Sequence, residues 1–400
     1  MRRWAAIAVA LSLAGCRTAV GTAPQSIDHM DQVELRDAGR TWVEHANAAG
    51  WEHHRTLEGN AVTSPLGLGI AFGAARGAAS AEAGRGFERI FGFEDGAADH
   101  AAAAEVLAEL RALAVEVPDV DIDLGARLTS TVAGHGTLTS PDPYLDLLAD
   151  AYGAVPAPAF DPGPAAATIS WTTAGDGALP LVAPGLRSAA EPDAFTFATT
   201  VEVAQPLLPP FDPALTEPGV FTTATGTAVD VALMSQDDAP VPFVDLGDAD
   251  AVGLSAGVDL TMWLLVPDED DGLAALESNL EPSTFAELDD VAEPYAVDLA
   301  VPRWHTGSDV DVLSWTCPYG LCPGSTLDGV APGHELTGAR LASSFVVDEA
   351  GIGAAPPGTG FFLGWLAREV EVRADHPFLW ALVHESTGVV VLLGRVTDPS

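Results

Sequence analysis

The order of its segment types is the feature that most limits the fold of this chain. Segments with the apolar spacing of helices come first, at 31–58, 66–91, 99–115 and 143–152. In the second half, only 269–290 has this spacing, and strand-like segments dominate. This order predicts a mixed α+β domain with antiparallel strands rather than a doubly wound parallel sheet. The strand-like segments are 119–128, 192–205, 228–236, 258–267, 296–304, 341–349, 369–373, 378–385 and 388–396.

The spread of turn-forming residues indicates a single large domain. The chain has 400 residues, of which 48% are hydrophobic, so it can bury a sizeable core. Its 40 glycines and 30 prolines are distributed throughout and mark no interdomain linker. We therefore expect one domain over residues 31–400.

The charge balance excludes several classes of function. The chain has 57 acidic residues against 17 basic ones, a net charge of −40, and no lysine. Nucleic-acid binding and attachment to a membrane through a basic patch both need clustered cations, so neither is expected. The simplest interpretation is a solvated, self-repelling surface, and the alternative is a specific role for the charge.

The first thirty residues resemble the export signal and tether of a bacterial lipoprotein. Arg2 and Arg3 precede an apolar run at 4–13 that is too short to span a bilayer. Leu-Ala-Gly-Cys at 13–16 resembles a lipobox, which implies a signal peptide over 1–15 and lipidation of Cys16. Residues 16–30 then form a flexible tether that holds the domain outside the cytoplasmic membrane, in the periplasm or at the cell surface. The alternative is an ordinary signal peptide with a chance cysteine.

The predicted export makes a disulfide between the two remaining cysteines possible. Cys317 and Cys322 are separated by four residues. In an oxidising compartment this spacing predicts a local disulfide. A zinc site would need further ligands, and none lies nearby in the sequence. His53 and His54 are distant, and we expect them on a polar helix face.

No sequence motif supports an enzyme. The letters GLSAG at 253–257 match a nucleophile elbow, but that motif needs a following helix and a strand-like segment follows instead. We therefore expect a turn between strands at this point. The glycines at 67 and 69 lack the context of a dinucleotide site, HExxH is absent, and the absence of lysine excludes Schiff-base chemistry.

Several separated segments, in order, resemble the serpin family of protease inhibitors. The most specific ones flank a stretch near the end, where Val-Asp-Glu-x-Gly at 347–351 precedes it and Ala-Asp-His-Pro-Phe at 374–378 follows it. The resemblance covers roughly residues 31–399. The other similar segments are 60–66, 169–171, 210–211 with Thr216 and Phe221, 229–236, 262–267, 301–304 and 394–399.

The resemblance implies a fold and a mechanism. The fold has three β-sheets, eight or nine helices and an exposed reactive loop. In inhibitory serpins, a serine protease cuts this loop and forms an acyl-enzyme. The N-terminal half of the cut loop then enters the central sheet as a new strand and distorts the protease. The resemblance implies a monomer that needs no cofactor or metal.

The hinge of the reactive loop carries both supporting and opposing features. A strand entering a sheet needs small or apolar side chains and backbone N–H donors. Proline removes a donor and is normally confined to the edges or bulges of sheets, so Pro356 and Pro357 should slow insertion. If insertion is slow, deacylation wins and the protein is a substrate. The hinge residues are Glu349, Gly351, Ile352, Ala354, Ala355, Pro356 and Pro357.

Sheet opening is assigned to three residues by the same resemblance. Ser64 keeps the family residue, whereas Ser170 and Leu341 stand in place of an asparagine and a histidine. Arg303 stands in place of a lysine able to pair with Glu349, and the alternative is two surface charges that never meet. Leu207 replaces a family tryptophan. These departures affect the opening mechanism and leave the fold assignment unchanged.

The apolar tip of the loop predicts the scissile bond. Counting from Glu349 places Trp365 before this bond, and counting back from Pro377 places Leu366 there, with Ala367 as the next residue. Either large apolar side chain suits a serine protease of chymotrypsin-like or elastase-like specificity, and a cysteine protease is a further candidate. Cleavage after Arg368 would suit a trypsin-like enzyme. The second hypothesis for function is a non-inhibitory serpin-fold protein whose loop is cut without trapping.

Overall fold

A computed structural model gives the fold of the chain. Several predicted sites lie outside the residues that the structure describes: the signal peptide, Cys16 and the tether, the hinge residues Ala354, Ala355, Pro356 and Pro357, and the reactive-site residues Trp365, Leu366 and Ala367. Among the described residues, none of the helices combines the length and apolar character needed to span a bilayer. The structure describes 32–93, 96–112, 126–135, 142–152, 155–156, 166–172, 194–203, 205–257, 259–329, 332–333, 335–353 and 369–400.

Two predicted helices are each divided in the structure. The segment 66–91 forms two helices, because Ala79 is extended and Ser80 begins a new helix by accepting a hydrogen bond from the Ala83 N–H. The segment 269–290 is also interrupted, and Pro282 lies in the break. The α-helices of the described residues are α1 (Gln32–His54), α2 (Pro65–Ala78), α3 (Ala81–Phe91), α4 (Gly96–Ala112), α5 (Asp142–Tyr152), α6 (Leu273–Asn279), α7 (Thr284–Val291) and α8 (Leu313–Thr316).

The strands follow the predicted order, with most of them in the second half of the chain. They are β1 (Ala61–Thr63), β2 (Ala126–His135), β3 (Val155–Pro156), β4 (Ala166–Thr172), β5 (Ala194–Val203), β6 (Glu217–Thr222), β7 (Ala228–Asp245), β8 (Ala249–Ser255), β9 (Leu260–Pro267), β10 (Glu293–Pro302), β11 (Trp304–Asp311), β12 (Ser325–Thr326), β13 (Glu335–Asp348), β14 (Gly351–Ile352), β15 (Glu369–Arg373), β16 (Phe378–His384) and β17 (Val389–Val396).

An eight-stranded sheet forms one face of the domain. Its main path is β11-β13-β5-β2-β4-β3, with β12 and β14 also paired to β13. Among its described pairs, only β5 and β13 run parallel. The mixed α+β class predicted from the sequence is confirmed.

A nine-stranded sheet contains the remaining strands. Its path is β1-β17-β16-β9-β8-β7-β10-β15, with β6 paired to β7. The resemblance implied three sheets, and hydrogen bonding joins two of them here because the 18-residue β7 and the 10-residue β10 run through both. The register of the β7–β10 pair shifts between Val297 and Leu299, opposite Asp238, whose φ is 50°.

The core lies between the sheets and around α2. Every residue of β9, β16 and β17 is buried, as expected for strands covered on both faces. Helix α2 is apolar on nearly all sides, and its sequence PLGLGIAFGAARGA has one charged residue, Arg76. Such a helix is stable only in the interior, and α2 contacts α1, β5 and β17.

A buried ion pair joins the last strand to α6, and a histidine of the first helix contacts it. The Arg395 Nη1 lies 2.8 Å from the Glu277 Oε1, and the same oxygen lies 2.9 Å from the His54 Nε2. Arg395 also donates to the carbonyls of Leu57 and Gly59. The prediction that His53 and His54 lie on a polar helix face is wrong, because both side chains are buried. Burial lowers the pKa of both, to about 4 for His53.

Replacing Arg395 with methionine should strongly destabilise the fold. The substitution leaves the Glu277 carboxylate buried without its cation, since the two side chains are only 9% and 15% exposed. Breaking such a buried pair costs about 3–5 kcal/mol. Arg340 is a matched control, because its pair with Asp309 is 36% and 47% exposed. We expect Arg340→Met to cost less than about 1 kcal/mol in urea unfolding, and equal losses for the two variants would contradict this account.

Candidate functional site

A hydrogen-bonded ion pair fixes the chain where it leaves β13. The guanidinium of Arg303, which follows β10, contacts both carboxylate oxygens of Glu349, with Nε–Oε2 at 2.8 Å and Nη2–Oε1 at 2.5 Å. The Thr216 hydroxyl donates to Glu349 Oε1 at 2.5 Å. The Glu349 side chain is 9% exposed and that of Arg303 is 51% exposed. The structure therefore brings Arg303 and Glu349 together and adds Thr216 as a second donor.

The ionisation of Glu349 follows from these contacts. Burial alone would raise the pKa of Glu349, but the hydrogen bonds from Arg303 and Thr216 outweigh it and lower the pKa below its ordinary value. A carboxylate with a lowered pKa stabilises the fold above its ordinary pKa. That contribution is lost as the pH falls through the lowered value, so the hinge stays paired at neutral pH.

Beyond Glu349 the chain reverses and begins a new strand. The Ala350 N–H donates to the Asp348 side chain at 2.9 Å, which forms the turn. Gly351 has a φ of 126°, and a Cβ at this position would come within 2.3 Å of the Gln205 carbonyl oxygen. Only glycine fits both requirements. Strand β14 then pairs antiparallel with β13, with Ile352 opposite Val347.

The hinge is hydrogen-bonded on both sides, to Gln205 through Ile352 and to β13 through Gly353. The Ile352 N–H donates to the Gln205 carbonyl at 2.7 Å, and the Ile352 carbonyl accepts from the Gln205 N–H at 2.9 Å. The next residue, Gly353, donates its N–H to the Val346 carbonyl at 2.8 Å. The Ile352 side chain is fully buried. Ile352 thus occupies the first position of a strand between β13 and the chain that follows β5.

The sheet is closed below this position. Strands β5 and β13 pair directly with each other, with Ala194 opposite Glu335 at one end and Val201 opposite Ser343 at the other. The hinge therefore lies between the chain after β5 and the end of β13, whereas the two strands pair directly along the rest of their length. The chain re-enters the described structure at Glu369, in β15, which pairs with β10 of the other sheet.

The two predicted sheet-opening serines lie away from the hinge. The Ser64 hydroxyl is buried, accepts from the Gly67 N–H at 2.8 Å and donates to the Val391 carbonyl at 2.6 Å. It therefore caps α2 and fixes it to β17. Ser170 lies in β4, with backbone partners in β2 and β3, on the far side of β5 from β13. Leu341 is buried on β13.

Sequence reasoning assigned no role to two residues at the hinge. Thr216 was noted as a family match, and its contact with Glu349 could not be read from its position in the sequence. Gln205 had no signal of its own. Its side chain is fully buried, and neither its Oε1 nor its Nε2 has a hydrogen-bond partner among the described residues.

Two further predictions concern positions outside the hinge. Cys317 and Cys322 are joined by a disulfide, with their Cα atoms 4.3 Å apart, in the segment between α8 and β12. The strand β9 follows the 253–257 segment, as predicted, but residues 253–255 themselves end β8, so the turn begins after Ser255, whose hydroxyl donates to the Gly257 carbonyl. Within the described ranges there is no group of three or more metal-ligating side chains.

Two partly buried carboxyl groups make the stability of the fold depend on pH. Burial raises the pKa of Asp250 to about 6, assisted by repulsion from Asp268 and Asp245. Burial also raises the pKa of Asp289 to about 6, with repulsion from Glu385. The folded state therefore binds more protons than the unfolded state between about pH 4 and 6, and stability rises as the pH falls through 6.

Replacing both carboxyl groups by amides should remove this dependence. We expect Asp250→Asn with Asp289→Asn to raise the free energy of unfolding at pH 7.5 by about 1–2 kcal/mol, after allowance for solvent screening. The gain should shrink at pH 5, where the parent side chains are largely protonated. Urea unfolding at both pH values measures it, with the exposed Asp270→Asn as control. An equal gain at both pH values would contradict the assignment.

The comparisons with known proteins agree with this geometry. The sequence model of the serpin family, described as "serine protease inhibitor", matches residues 52–399. The chain is a serpin. This serpin is 30% identical over 149 residues to a "Serine protease inhibitor" from Cyanea capillata, a match that covers 35% of this chain and 39% of the relative. It is 28% identical over 152 residues to a "Leukocyte elastase inhibitor" from Xenopus laevis, covering 35% and 40%.

The fold of this serpin is shared along nearly its whole length with solved structures. Serpin48 from the insect Tenebrio molitor superposes with a TM-score of 0.66 at 16% identity, covering 93% of this chain and 100% of the other. The curated relatives, in contrast, are matched over about two fifths of their length. The match to Serpin48 establishes the fold alone.

Proposed function

We propose that this serpin inhibits extracellular serine proteases as a suicide substrate. The observation that carries the proposal is the position of the hinge, where Ile352 is hydrogen-bonded to Gln205 and Gly353 to Val346, the two neighbours of the strand position that a cut loop would fill. Below it, β5 and β13 close the sheet. The protease cuts the loop and becomes an acyl-enzyme, and the N-terminal half of the loop continues the strand that Ile352 begins.

The strand directions favour this insertion. Strands β5 and β13 are parallel neighbours, and parallel pairs are somewhat less stable per residue than antiparallel ones. Strand β14 runs antiparallel to β13, and its bridge to Gln205 is also antiparallel. A loop that continues β14 would therefore replace one parallel ladder by two antiparallel ladders. Each additional ladder bond contributes about 1 kcal/mol, so the inserted state is favoured.

The specificity follows from the loop sequence. The residue before the scissile bond is Trp365 or Leu366, and Ala367 follows Leu366. Either large side chain would enter an apolar specificity pocket of the chymotrypsin-like or elastase-like type. A relative named as an inhibitor of leukocyte elastase supports this class of target. Cysteine proteases with similar pockets are secondary candidates, and Arg368 provides the test for a trypsin-like target.

The location follows from the N-terminal segment. Lipid on Cys16 and the tether over 16–30 would hold a monomeric inhibitor at the outer side of the cytoplasmic membrane, in the periplasm or at the cell surface. A high negative charge suits such an exposed position, because it keeps the chain soluble and apart from its copies.

The second candidate function is a non-inhibitory serpin whose loop is cut without trapping. Pro356 and Pro357 favour it, because each lacks the N–H that a central strand needs. The replacements at Ser170 and Leu341 also favour it. In this case β14 would be a fixed structural feature with no further insertion.

The two functions are separated by mixing the purified protein with chymotrypsin on a denaturing gel. Inhibition predicts an adduct at the summed mass that survives denaturation. Chymotrypsin whose nucleophilic serine is replaced by alanine is the control, and it should give no adduct. Cleavage between 365 and 367 without adduct would support the second function instead. Trypsin in a parallel lane tests cleavage after Arg368.

A further inference from the structure

The side chain of Gln205 is an exception in the inner layer of the eight-stranded sheet. Val201 and Val203, four and two positions before Gln205, are buried apolar residues. An apolar residue would therefore be expected at 205. Instead a primary amide is fully buried there, against the turn at Gly257, where a Cβ would lie only 2.3 Å from the Gln205 Oε1.

Within the part of the chain that the structure describes, neither the oxygen nor the nitrogen of this amide has a hydrogen-bond partner. A primary amide offers two donors and an acceptor, and a buried polar group without partners is unfavourable and rare. The backbone of Gln205, in contrast, is fully used by Ile352, through its N–H and its carbonyl. Gln205 therefore binds the hinge through its backbone, while its side chain loses hydrogen bonds in the same arrangement.

We propose that Gln205 limits how firmly the hinge is held in the sheet before a protease cuts the loop. Ile352 lies beside Gln205 on the same inner face and closes the end of the sheet above it. When the hinge leaves this position, water can reach the amide and restore its hydrogen bonds. The unpartnered amide thus favours the released hinge and opposes the inserted one.

The position of the hinge affects the length of loop that is available to a protease. Each residue held in the sheet removes about 3.3 Å from the free length of the loop. A released hinge therefore leaves a longer free loop for the protease than an inserted hinge does. Gln205 is in this sense a positioning residue for protease recognition, and that part of the inference rests on the proposed function.

Hydrogen exchange tests the inference without a protease. Gln205→Met keeps the length of the side chain and removes its hydrogen-bonding groups. We expect the amides of Ile352 and Gly353 to exchange about ten-fold more slowly in this variant, measured on a peptide that covers 346–353. Gln205→Glu buries a carboxylate instead, so it should release the hinge and speed exchange. Circular dichroism checks that both variants are folded.

A control and a second readout complete the test. Gln236→Met is the control, since Gln236 is a buried glutamine that contacts Pro209 and not the hinge, and exchange at Ile352 should not change. The rate of association with chymotrypsin should fall in Gln205→Met, with the ratio of adduct to cleaved product unchanged. Exchange at Ile352 that is the same or faster in Gln205→Met would overturn the inference. Slower exchange with no adduct in any variant would leave it standing and refute the proposed function.

Discussion

Replacing Ile352 with aspartate is expected to turn this serpin from an inhibitor into a substrate. Ile352 is fully buried between β13 and Gln205. A carboxylate there costs several kcal/mol to bury, which exceeds the few hydrogen bonds that hold the hinge in place. The hinge should leave the sheet, and a cut loop that carries this charge at the entry point should not insert. Chymotrypsin should then cut the loop at an equal or higher rate and form no adduct.

Two variants control for this result. Val346→Asp places the same charge on β13 at a side chain that is 37% exposed, so the adduct should still form. Ile352→Val keeps an apolar β-branched residue and should behave as the parent protein. Loss of the adduct in Val346→Asp to the same degree as in Ile352→Asp would indicate a general effect of added charge. A normal adduct in Ile352→Asp would contradict the role given to β14.

Replacing Pro356 and Pro357 together by alanine is expected to increase the yield of adduct several-fold. Each alanine restores a backbone N–H, worth about 1 kcal/mol in a ladder, and relieves the strain of proline in a central strand. Because insertion competes with deacylation, a modest gain in insertion rate changes the outcome of each cleavage. Titrating chymotrypsin with increasing inhibitor measures the number of inhibitor molecules consumed per enzyme, which should fall towards one.

The matched control is Pro218→Ala, at an exposed position in the edge strand β6. This variant also restores an N–H but lies outside the loop, so the consumption of inhibitor should not change. If as many molecules of the double variant as of the parent are consumed per chymotrypsin molecule, the prolines do not limit insertion. In that case the departures at Ser170 and Leu341 become the leading explanation for any slow insertion.

The parts of the site predicted from the sequence are those with local signatures. Glu349 and Gly351 lie in one short motif, and Arg303 lies in another, so their family resemblance assigned them to the hinge before any contact was known. The turn at 253–257 was predicted because a strand-like segment follows Ser255 directly. The break at Ser80 was not predicted, although a serine preceding an acidic first turn is a typical N-cap.

The parts that could not be predicted depend on contacts between distant residues. Strand β14 forms because the chain after Glu349 pairs with Gln205, which lies about 150 positions earlier in the sequence. The joined nine-stranded sheet depends on the continuity of β7 and β10 through a bulge. The burial of His54 could not be predicted, because its partners, Glu277 and Arg395, come from a helix and a strand in the second half of the chain.

The most direct test of insertion is the unfolding midpoint in guanidinium before and after the loop is cut. A zinc metalloprotease that cleaves within 361–366 is suitable, because it forms no acyl-enzyme and leaves the serpin free. Insertion of the cut loop replaces the single ladder between β5 and β13 by two ladders, so the midpoint should rise by about 2 M. A cleaved protein that unfolds at the same or a lower concentration than the intact one would contradict the account.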